Sequence, residues 1–414
     1  MTKPVRIGIV GCGGIAGTHL EGYQLLKDKG CAHFEIAAVC DVTPGRAEAF
    51  AERVASFQGS KPRFFTSVDD LIAANVVDGV DVCTLHADHH VTAIRFLEAG
   101  VPVMVEKPMG VTVRAARKML ETARRTGVTL SVAENSRRGL GQRAITWLLN
   151  KNQLIGAPRC FSIEYMTGPK LPIEPPKDPE PVDEINWRLD KLQTGGGWTY
   201  DGGVHLMDSL VVYFGPIDTV YAQQKIFSPD LTILKDGRRI YSEREDLCLV
   251  SFRFKNGMVG VWNWSFALPG ADFCRVAFYG ERGYVLDNTA GGWTHTFGGG
   301  FIPSDALIHM QDGTVKAGRD LEMDYLLSLS DSERERLFPH GVLRSVAQEC
   351  HEFVDCIRKQ EAPEVGPDEG LVGLAISAAV YESALLGQAV RIEDVMESRI
   401  DAYQRPIDER WGLV

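Results

Sequence analysis

The sequence lacks an excess of positive charge: 44 lysines and arginines face 55 aspartates and glutamates, for a formal net charge of −11. A protein that tracks nucleic acid needs a basic surface to neutralise phosphates, so this balance excludes that class of partner. Also missing is any run of the roughly 18 apolar residues needed to span a bilayer. The opening MTKPVRIGIV enters a strand-like run with no charged n-region, long apolar core or small-residue cleavage site. No membrane partner is expected. The nine cysteines (Cys12, Cys31, Cys40, Cys83, Cys160, Cys248, Cys274, Cys350 and Cys356) are odd in number and form no CxxC pair. They read as reduced core thiols of a cytoplasmic protein, with little case for metal. There is no internal repeat and no low-complexity tract. What is present is an ordinary globular composition, 44% hydrophobic and 24% charged over 414 residues, with length for two domains.

From residue 5 to about 134, short β-rich runs alternate with segments of helical period, the pattern of a parallel sheet covered by helices. Strands are predicted at 5–10, 34–40, about 63–65, 80–86, 101–106 and 128–133. Thr112 is placed to cap a helix that runs to Arg125 and stops at Gly127. Past Ser136 the strands lengthen and become hairpin-like. The clearest hairpin is DLCLVSFRF, Asn256-Gly257, MVGVWNWSF, in which Asn-Gly supplies the positive φ angles of a tight reversal. The fold class is therefore α/β: a doubly wound Rossmann domain over 1–135, then an α+β domain over 136–414 with a large, mainly antiparallel sheet. Helical periodicity within 343–386 predicts helices that pack back on the first domain. Residues 169–181 hold six prolines in thirteen positions, an extended segment that is either a connector or a lip over the substrate.

The first strand runs into Gly11-Cys12-Gly13-Gly14-Ile15-Ala16, a GxGxxA match. Gly11 permits the tight turn, Gly13 lets backbone approach a pyrophosphate, and Ala16 lets the following helix pack closely. That helix aims its N-terminal N–H groups and positive dipole end at the phosphate. Asp41, at the end of the second strand, either accepts hydrogen bonds from ribose hydroxyls or caps the next turn. Its carboxylate would repel a 2′-phosphate, which favours NAD, while the nearby Arg46 leaves NADP open.

Two segments carry candidate chemistry. Glu106-Lys107-Pro108 ends strand five, at the sheet edge where ligands bind in such folds. A lysine beside a cationic nicotinamide in partial burial serves as proton shuttle or hydrogen-bond donor; otherwise it is a surface lysine paired with Glu106. The second segment runs from Gly195 to Asp208. Asp201 and His205 stand four residues apart on one helical face, with Asp208 continuing it. His205 takes a hydroxyl proton as hydride leaves, and Asp201 orients it or binds a neighbouring hydroxyl. The competing reading is a satisfied histidine at a helix start, against which stand five glycines in nine residues with no evident packing return. An Asp201–His205 metal pair is a rival that no further His or Cys spacing supports.

Together GIVGCGGIAGTHL, VMVEKPMGVT, VAENSRR, GGGWTYDGGVHLMD and AAVYESALLGQAVRI resemble the Gfo/Idh/MocA family of oxidoreductases, the glucose-fructose oxidoreductase and inositol dehydrogenase group, over nearly the whole chain. The resemblance implies NAD(P)-dependent hydride transfer between nicotinamide and a hydroxyl carbon of a sugar or polyol; the antiparallel sheet of the second domain offers a face for association, and a homodimer or homotetramer is expected. It implies that Lys107, Asp201 and His205 surround the nicotinamide and the reacting carbinol, and that Asn135 and Arg138 lie near the cofactor where the chain enters the substrate domain. The chain departs from the family at Leu85-His86-Ala87-Asp88-His89-His90, which lacks the proline usual after strand four, although His89 or His90 supplies the usual helix-start histidine. The proline-rich segment and 287–340 match no family pattern. The cofactor set is thus Gly11, Gly13, Gly14, Ile15, Ala16, Asp41, Arg46, His86, His89, Glu106, Lys107 and Asn135. The substrate set is Lys107, Arg138, Tyr165, Trp187, Arg188, Tyr200, Asp201 and His205, its aromatic members suggesting a more enclosed site than a small polyol needs. The alternative on the same scaffold is an NAD-dependent redox-cycling glycosidase or lyase, which oxidises C3, eliminates the C1 group and re-reduces; for its extra acid and base only Tyr165, Tyr200 and His86 are on offer. A ligand sensor that keeps the fold without chemistry is a third reading.

Overall fold

Alternating β-rich and amphipathic segments place their apolar residues where a sheet and its covering helices meet. The computed structural model describes residues 3–152, 154–171, 173, 178–270, 272–288 and 306–414, and its first part follows that alternation: β1 (Val5–Val10), α1 (Gly14–Asp28), β2 (Phe34–Cys40), α2 (Arg46–Gln58), β3 (Arg63–Phe65), α3 (Val68–Ala74), β4 (Gly79–Val82), α4 (His86–Glu98), β5 (Val103–Glu106), α5 (Val113–Thr126) and β6 (Leu130–Ala133). The six strands are parallel in the order β3-β2-β1-β4-β5-β6. The order in which strands are added therefore reverses between β1 and β4, the switch point at which such sheets bind ligands. Thr112 Oγ1 accepts the Ala115 N–H at 3.2 Å, and Gly127, with φ +70°, closes α5. Strand four is shorter than the predicted 80–86. Its pairing with β1 ends at Val10↔Val82, and His86 already begins α4.

The chain divides into two units, Met1–Arg138 with Leu329–Leu371, and Gly139–Ser328 with Val372–Val414. In the first, helix Ser345–Lys359 completes the core: Val346, Ala347, Cys350, Phe353 and Val354 join Ile7, Ile9, Leu20, Tyr23 and Phe34 in one buried cluster. A Cβ on Gly22 would stand 3.2 Å from Ala347 Cα, so the bare glycine lets α1 lie close on that helix.

The second unit holds α6 (Leu140–Trp147), β7 (Pro158–Met166), α7 (Lys191–Thr194), α8 (Trp198–Asp201), α9 (Gly203–Phe214), β8 (Ile217–Lys225), the small ribbon β9 (Leu231–Ile233) and β10 (Arg239–Tyr241), then β11 (Leu247–Phe254), β12 (Val259–Ser265), β13 (Phe273–Gly280), β14 (Gly283–Asp287), β15 (Leu307–Met310), β16 (Val315–Ala317) and β17 (Val390–Arg391). Nine of these strands form one sheet in the order β16-β15-β14-β13-β7-β12-β11-β8-β17. Every pairing is antiparallel except β12 with β7. The alternating side chains of β11 and β12 bury Cys248, Val250, Phe252, Trp262 and Trp264 on one face. The β11–β12 reversal differs from expectation: only Gly257 has positive φ, at +88°. Phe254 N–H donates to Met258 O at 2.9 Å across a three-residue loop, a turn closed by one left-handed glycine in place of a two-residue reversal. Of the two segments without a family pattern, residues 172, 174–177 and 289–305 lie outside the described residues. Helix Pro367–Leu386 is long and apolar enough to cross a membrane, yet 67% of its most apolar stretch is buried within the protein, as in a core helix.

Phe353, with no exposed surface, wedges helix Ser345–Lys359 against the sheet. Phe353→Ala is expected to cost about 3–5 kcal/mol of stability by cavity formation, read as a lower urea midpoint; an unchanged midpoint would mean that this helix is not part of the first unit's core.

Candidate active site

Gly11 follows β1 with φ +87°, and a Cβ there would lie 2.6 Å from Cys83 O, so only glycine fits. Gly13 and Gly14 are the opposite case. Among the described residues, and apart from the adjoining chain, no atom comes within 4 Å of a Cβ built on either, which leaves their backbone open to approach. Gly13 is the N-cap of α1, offers no side chain to cap it, and the first turn carries no acid. The N–H groups of that turn and the helix dipole are thus available to an anion. Ala16 is fully buried against the sheet, while Ile15 packs from the edge of the same core. Asp41 accepts the N–H groups of Cys12 at 2.8 Å and Thr43 at 2.7 Å, and the Arg46 guanidinium stands 3.7 Å away. It therefore caps the turn and shapes the glycine loop at once, and each oxygen keeps lone-pair capacity for a ribose hydroxyl. These features fit a dinucleotide.

At the ends of β4 and β5, expectation and structure part. His89 is fully buried, with Nδ1 3.0 Å from Pro108 O and Nε2 3.2 Å from Thr84 O. Burial, with His86 beside it, pushes its pKa down to about 4. It is a neutral brace between α4 and the loop after β5: the neutral ring has a single N–H, and the shorter contact gives it to Pro108 O, leaving Nε2 beside Thr84 O without a proton to donate. His86, the first residue of α4, is also buried. Glu106 is turned inward, its Oε1 2.9 Å from His19 Nε2, so the expected alternative of a surface Lys107–Glu106 pair does not hold. Lys107 itself is half-buried and joined to Pro108 by a cis peptide. Half-buried Asn135 keeps a buried Oδ1 that accepts no hydrogen bond from the described residues, an acceptor left for a ligand. Arg138, expected near the substrate, is only 2% exposed and is ion-paired with Glu352 and with Glu364 at 3.5 Å in the interior of the first unit.

In the second unit Asp201 closes α8 and His205 lies in α9, joined through Gly202, so the expected single helical face is two short helices. His205 is buried. Asp201 Oδ2 lies 3.3 Å from Arg188 Nε, and the Arg188 guanidinium sits 4.4 Å over the Trp187 ring, which fixes the cation by stacking as well as by charge. Tyr165 is half-buried, edge-on to Phe266, with its phenol pKa raised by burial. Tyr200, expected to line the substrate, is 1% exposed and packs in the core of the second unit. The glycines have a packing reason after all: a Cβ would stand 2.8 Å from the Tyr381 ring at Gly196, 2.2 Å from Glu245 Oε2 at Gly197 and 2.8 Å from the Trp262 ring at Gly203. Sequence reasoning missed the brace behind them. Buried Glu245 accepts the Tyr381 hydroxyl and the Thr199 N–H, both at 2.8 Å, and Tyr381 Oη accepts the Gly197 N–H at 2.8 Å. Both residues were in view, Tyr381 within AAVYESALL, but nothing local marks a pair 136 residues apart.

Residues 5–134 match the GFO_IDH_MocA model, described as an oxidoreductase family with an NAD-binding Rossmann fold, and residues 149–286 match the GFO/IDH/MocA C-terminal domain. The chain belongs to the Gfo/Idh/MocA oxidoreductase family. It is similar to 1,5-anhydro-D-fructose reductase of Ensifer adhaerens, 25% identical over 87% of this chain and 91% of that protein. Likewise myo-inositol 2-dehydrogenase of Thermotoga maritima is 23% identical over 95% of this chain and all of that one. Among solved structures, levoglucosan dehydrogenase in complex with NADH superposes with a TM-score of 0.72 at 18% identity, covering 94% of this chain and 99% of that one, a likeness of fold. As a Gfo/Idh/MocA protein, this chain has the NAD-binding domain that the open glycine turn requires.

Because a Cβ at Gly13 would meet none of the described residues beyond the adjoining chain, Gly13→Val is expected to leave the fold intact and weaken NAD binding by about 100-fold or more, or about 2.7 kcal/mol. Calorimetry with circular dichroism checks both halves; unchanged affinity would remove the turn from the cofactor site.

Proposed function

We propose that the protein is an NAD(P)-dependent oxidoreductase that transfers hydride between nicotinamide and a hydroxyl carbon of a sugar or polyol, with NAD preferred because Asp41 would repel a 2′-phosphate. The observation that carries the reading is the open glycine turn at the head of α1, on a chain whose Gfo/Idh/MocA relatives include a 1,5-anhydro-D-fructose reductase and a myo-inositol 2-dehydrogenase. Bound nicotinamide supplies the hydride acceptor. The residues handle the proton and the substrate. Lys107, half-buried after β5, donates a hydrogen bond to the reacting oxygen and holds its proton. His205 takes that proton as the alternative base, and Asp201, held by Arg188, binds a neighbouring hydroxyl. Trp187 offers an aromatic face to the apolar side of a sugar ring.

The elimination route of a redox-cycling glycosidase needs a further acid and base. The burial of Tyr200 removes one of its few candidates, which favours net oxidation. We place the protein in the cytoplasm, where its nine free thiols persist. We infer a homodimer or homotetramer through the outer face of the large sheet, where Tyr221, Leu249 and Val259 are exposed on adjoining strands.

A panel of sugars, polyols and glycosides incubated with NAD and followed at 340 nm is expected to give one NADH per substrate oxidised. Glycoside cleavage with no net NADH, and deuterium at C2 of product made in D₂O, would establish the cycling route instead. Lys107→Met and His205→Ala should each lower turnover by about 10²–10⁴ with NADH binding kept; losses under about tenfold at both would place the chemistry elsewhere.

A further inference from the structure

His19 has no exposed surface, yet it sits among charges. Its Nδ1 lies 2.9 Å from Asp81 Oδ2 on β4, its Nε2 2.9 Å from Glu106 Oε1 at the end of β5, and Glu349 Oε1 on helix Ser345–Lys359 is 3.8 Å away. Tyr23 donates to Asp81 at 3.3 Å, while Cys83 and Cys350 close the cluster. Because both ring nitrogens face carboxylates, both must donate, and the ring is an imidazolium. Burial is the largest single influence and opposes that charge, but Asp81 and Cys83 together outweigh it and raise the His19 pKa well above its ordinary value. Burial also pushes the Glu349 pKa well up, which favours the neutral form of that carboxyl. A buried ion cluster is a poor source of stability compared with well-packed apolar side chains. Position is what it supplies. Glu106 is the residue before Lys107, and the residue after it, Pro108, has its carbonyl 3.0 Å from His89 Nδ1.

We propose that His19 and His89 form a clamp on the two residues flanking Lys107, and that His19, standing on α1, ties the placement of that lysine to the helix that receives the dinucleotide phosphate. His19 is a positioning residue that acts through Glu106. The idea rests on the reading of Lys107 as a participant in the reaction and extends it to what holds the amine in place. Without the imidazolium, Asp81 and Glu106 are left uncompensated near Lys107, and their charge favours the ammonium form. A lysine that must accept a proton then needs higher pH.

The test is a double-mutant cycle on the full-length protein in the oxidation direction, with folding checked by circular dichroism and thermal melting. His19→Gln is expected to lower kcat about tenfold or more while KM for NAD stays within about threefold. The acidic limb of the kcat–pH profile should move upward. In a Lys107→Met background the same substitution should cost nothing further, because the group it positions is gone. Equal losses in both backgrounds, or an unmoved pH profile, would overturn the clamp. Should His19→Gln fail to fold, Glu106→Gln, which keeps an acceptor for His19 and removes the charge, takes its place in the same cycle with the same loss of kcat and the same absence of further cost in the Lys107→Met background, but with the acidic limb moving downward because a carboxylate beside the lysine is gone. A Lys107→Met loss under about tenfold would sink the reading of the lysine, and the clamp with it; a large Lys107→Met loss with additive His19→Gln would sink the clamp alone.

Discussion

One imidazolium and the carboxyl groups of Asp81, Glu106 and Glu349 share a buried volume in the first unit, and the elements that bring them there have little freedom left. Removing one partner of such a cluster leaves a buried charge uncompensated, at a cost of about 3–5 kcal/mol. Helix α1, strands β4 and β5 and helix Ser345–Lys359 are therefore held in one arrangement. The close approach of Gly22 to Ala347 allows Glu349 to reach the cluster at all. The same arrangement sets the glycine turn at one end of α1 and Lys107 after the end of β5, so a constraint in the interior fixes what the sheet edge presents to a ligand.

The second unit solves its positioning problem by steric exclusion. Gly196, Gly197 and Gly203 give way to Tyr381, Glu245 and Trp262, and the segment is stitched down by hydrogen bonds from Gly197 and Thr199. Asp201 and His205 follow from that fixed backbone. Preorganisation of this kind is what lets a few polar groups act on a substrate without reorganising when it arrives.

How much of this was legible follows the range of the interactions. The glycine turn, the capped helix after Thr112 and the Asn256-Gly257 reversal announce themselves within a few residues, because turn and cap chemistry is local, though the backbone form of the reversal was not. The fates of Arg138, His89, Tyr200 and the glycine run were not legible. Each depends on a partner beyond its own segment: Glu352 and Glu364 for Arg138, Pro108 for His89, Tyr381 for Tyr200, and Tyr381, Glu245 and Trp262 for the glycines. His19 stood in plain sight within GIAGTHL, and its single local signal was a polar residue on a helix face otherwise made of Ala16, Leu20 and Tyr23. The family resemblance carried the Lys107, Asp201 and His205 assignments, and it said nothing of the buried charges behind the lysine.

Hydride transfer is the central claim, and isotopic labelling addresses it without relying on any variant. A sugar or polyol substrate deuterated at the reacting carbinol carbon, turned over with NAD, is expected to yield NADH carrying one deuterium at C4 of the nicotinamide per ketone formed, seen by mass spectrometry and proton NMR. NADH without deuterium, or deuterium found back in the product while no NADH accumulates, would contradict net hydride transfer from that carbon.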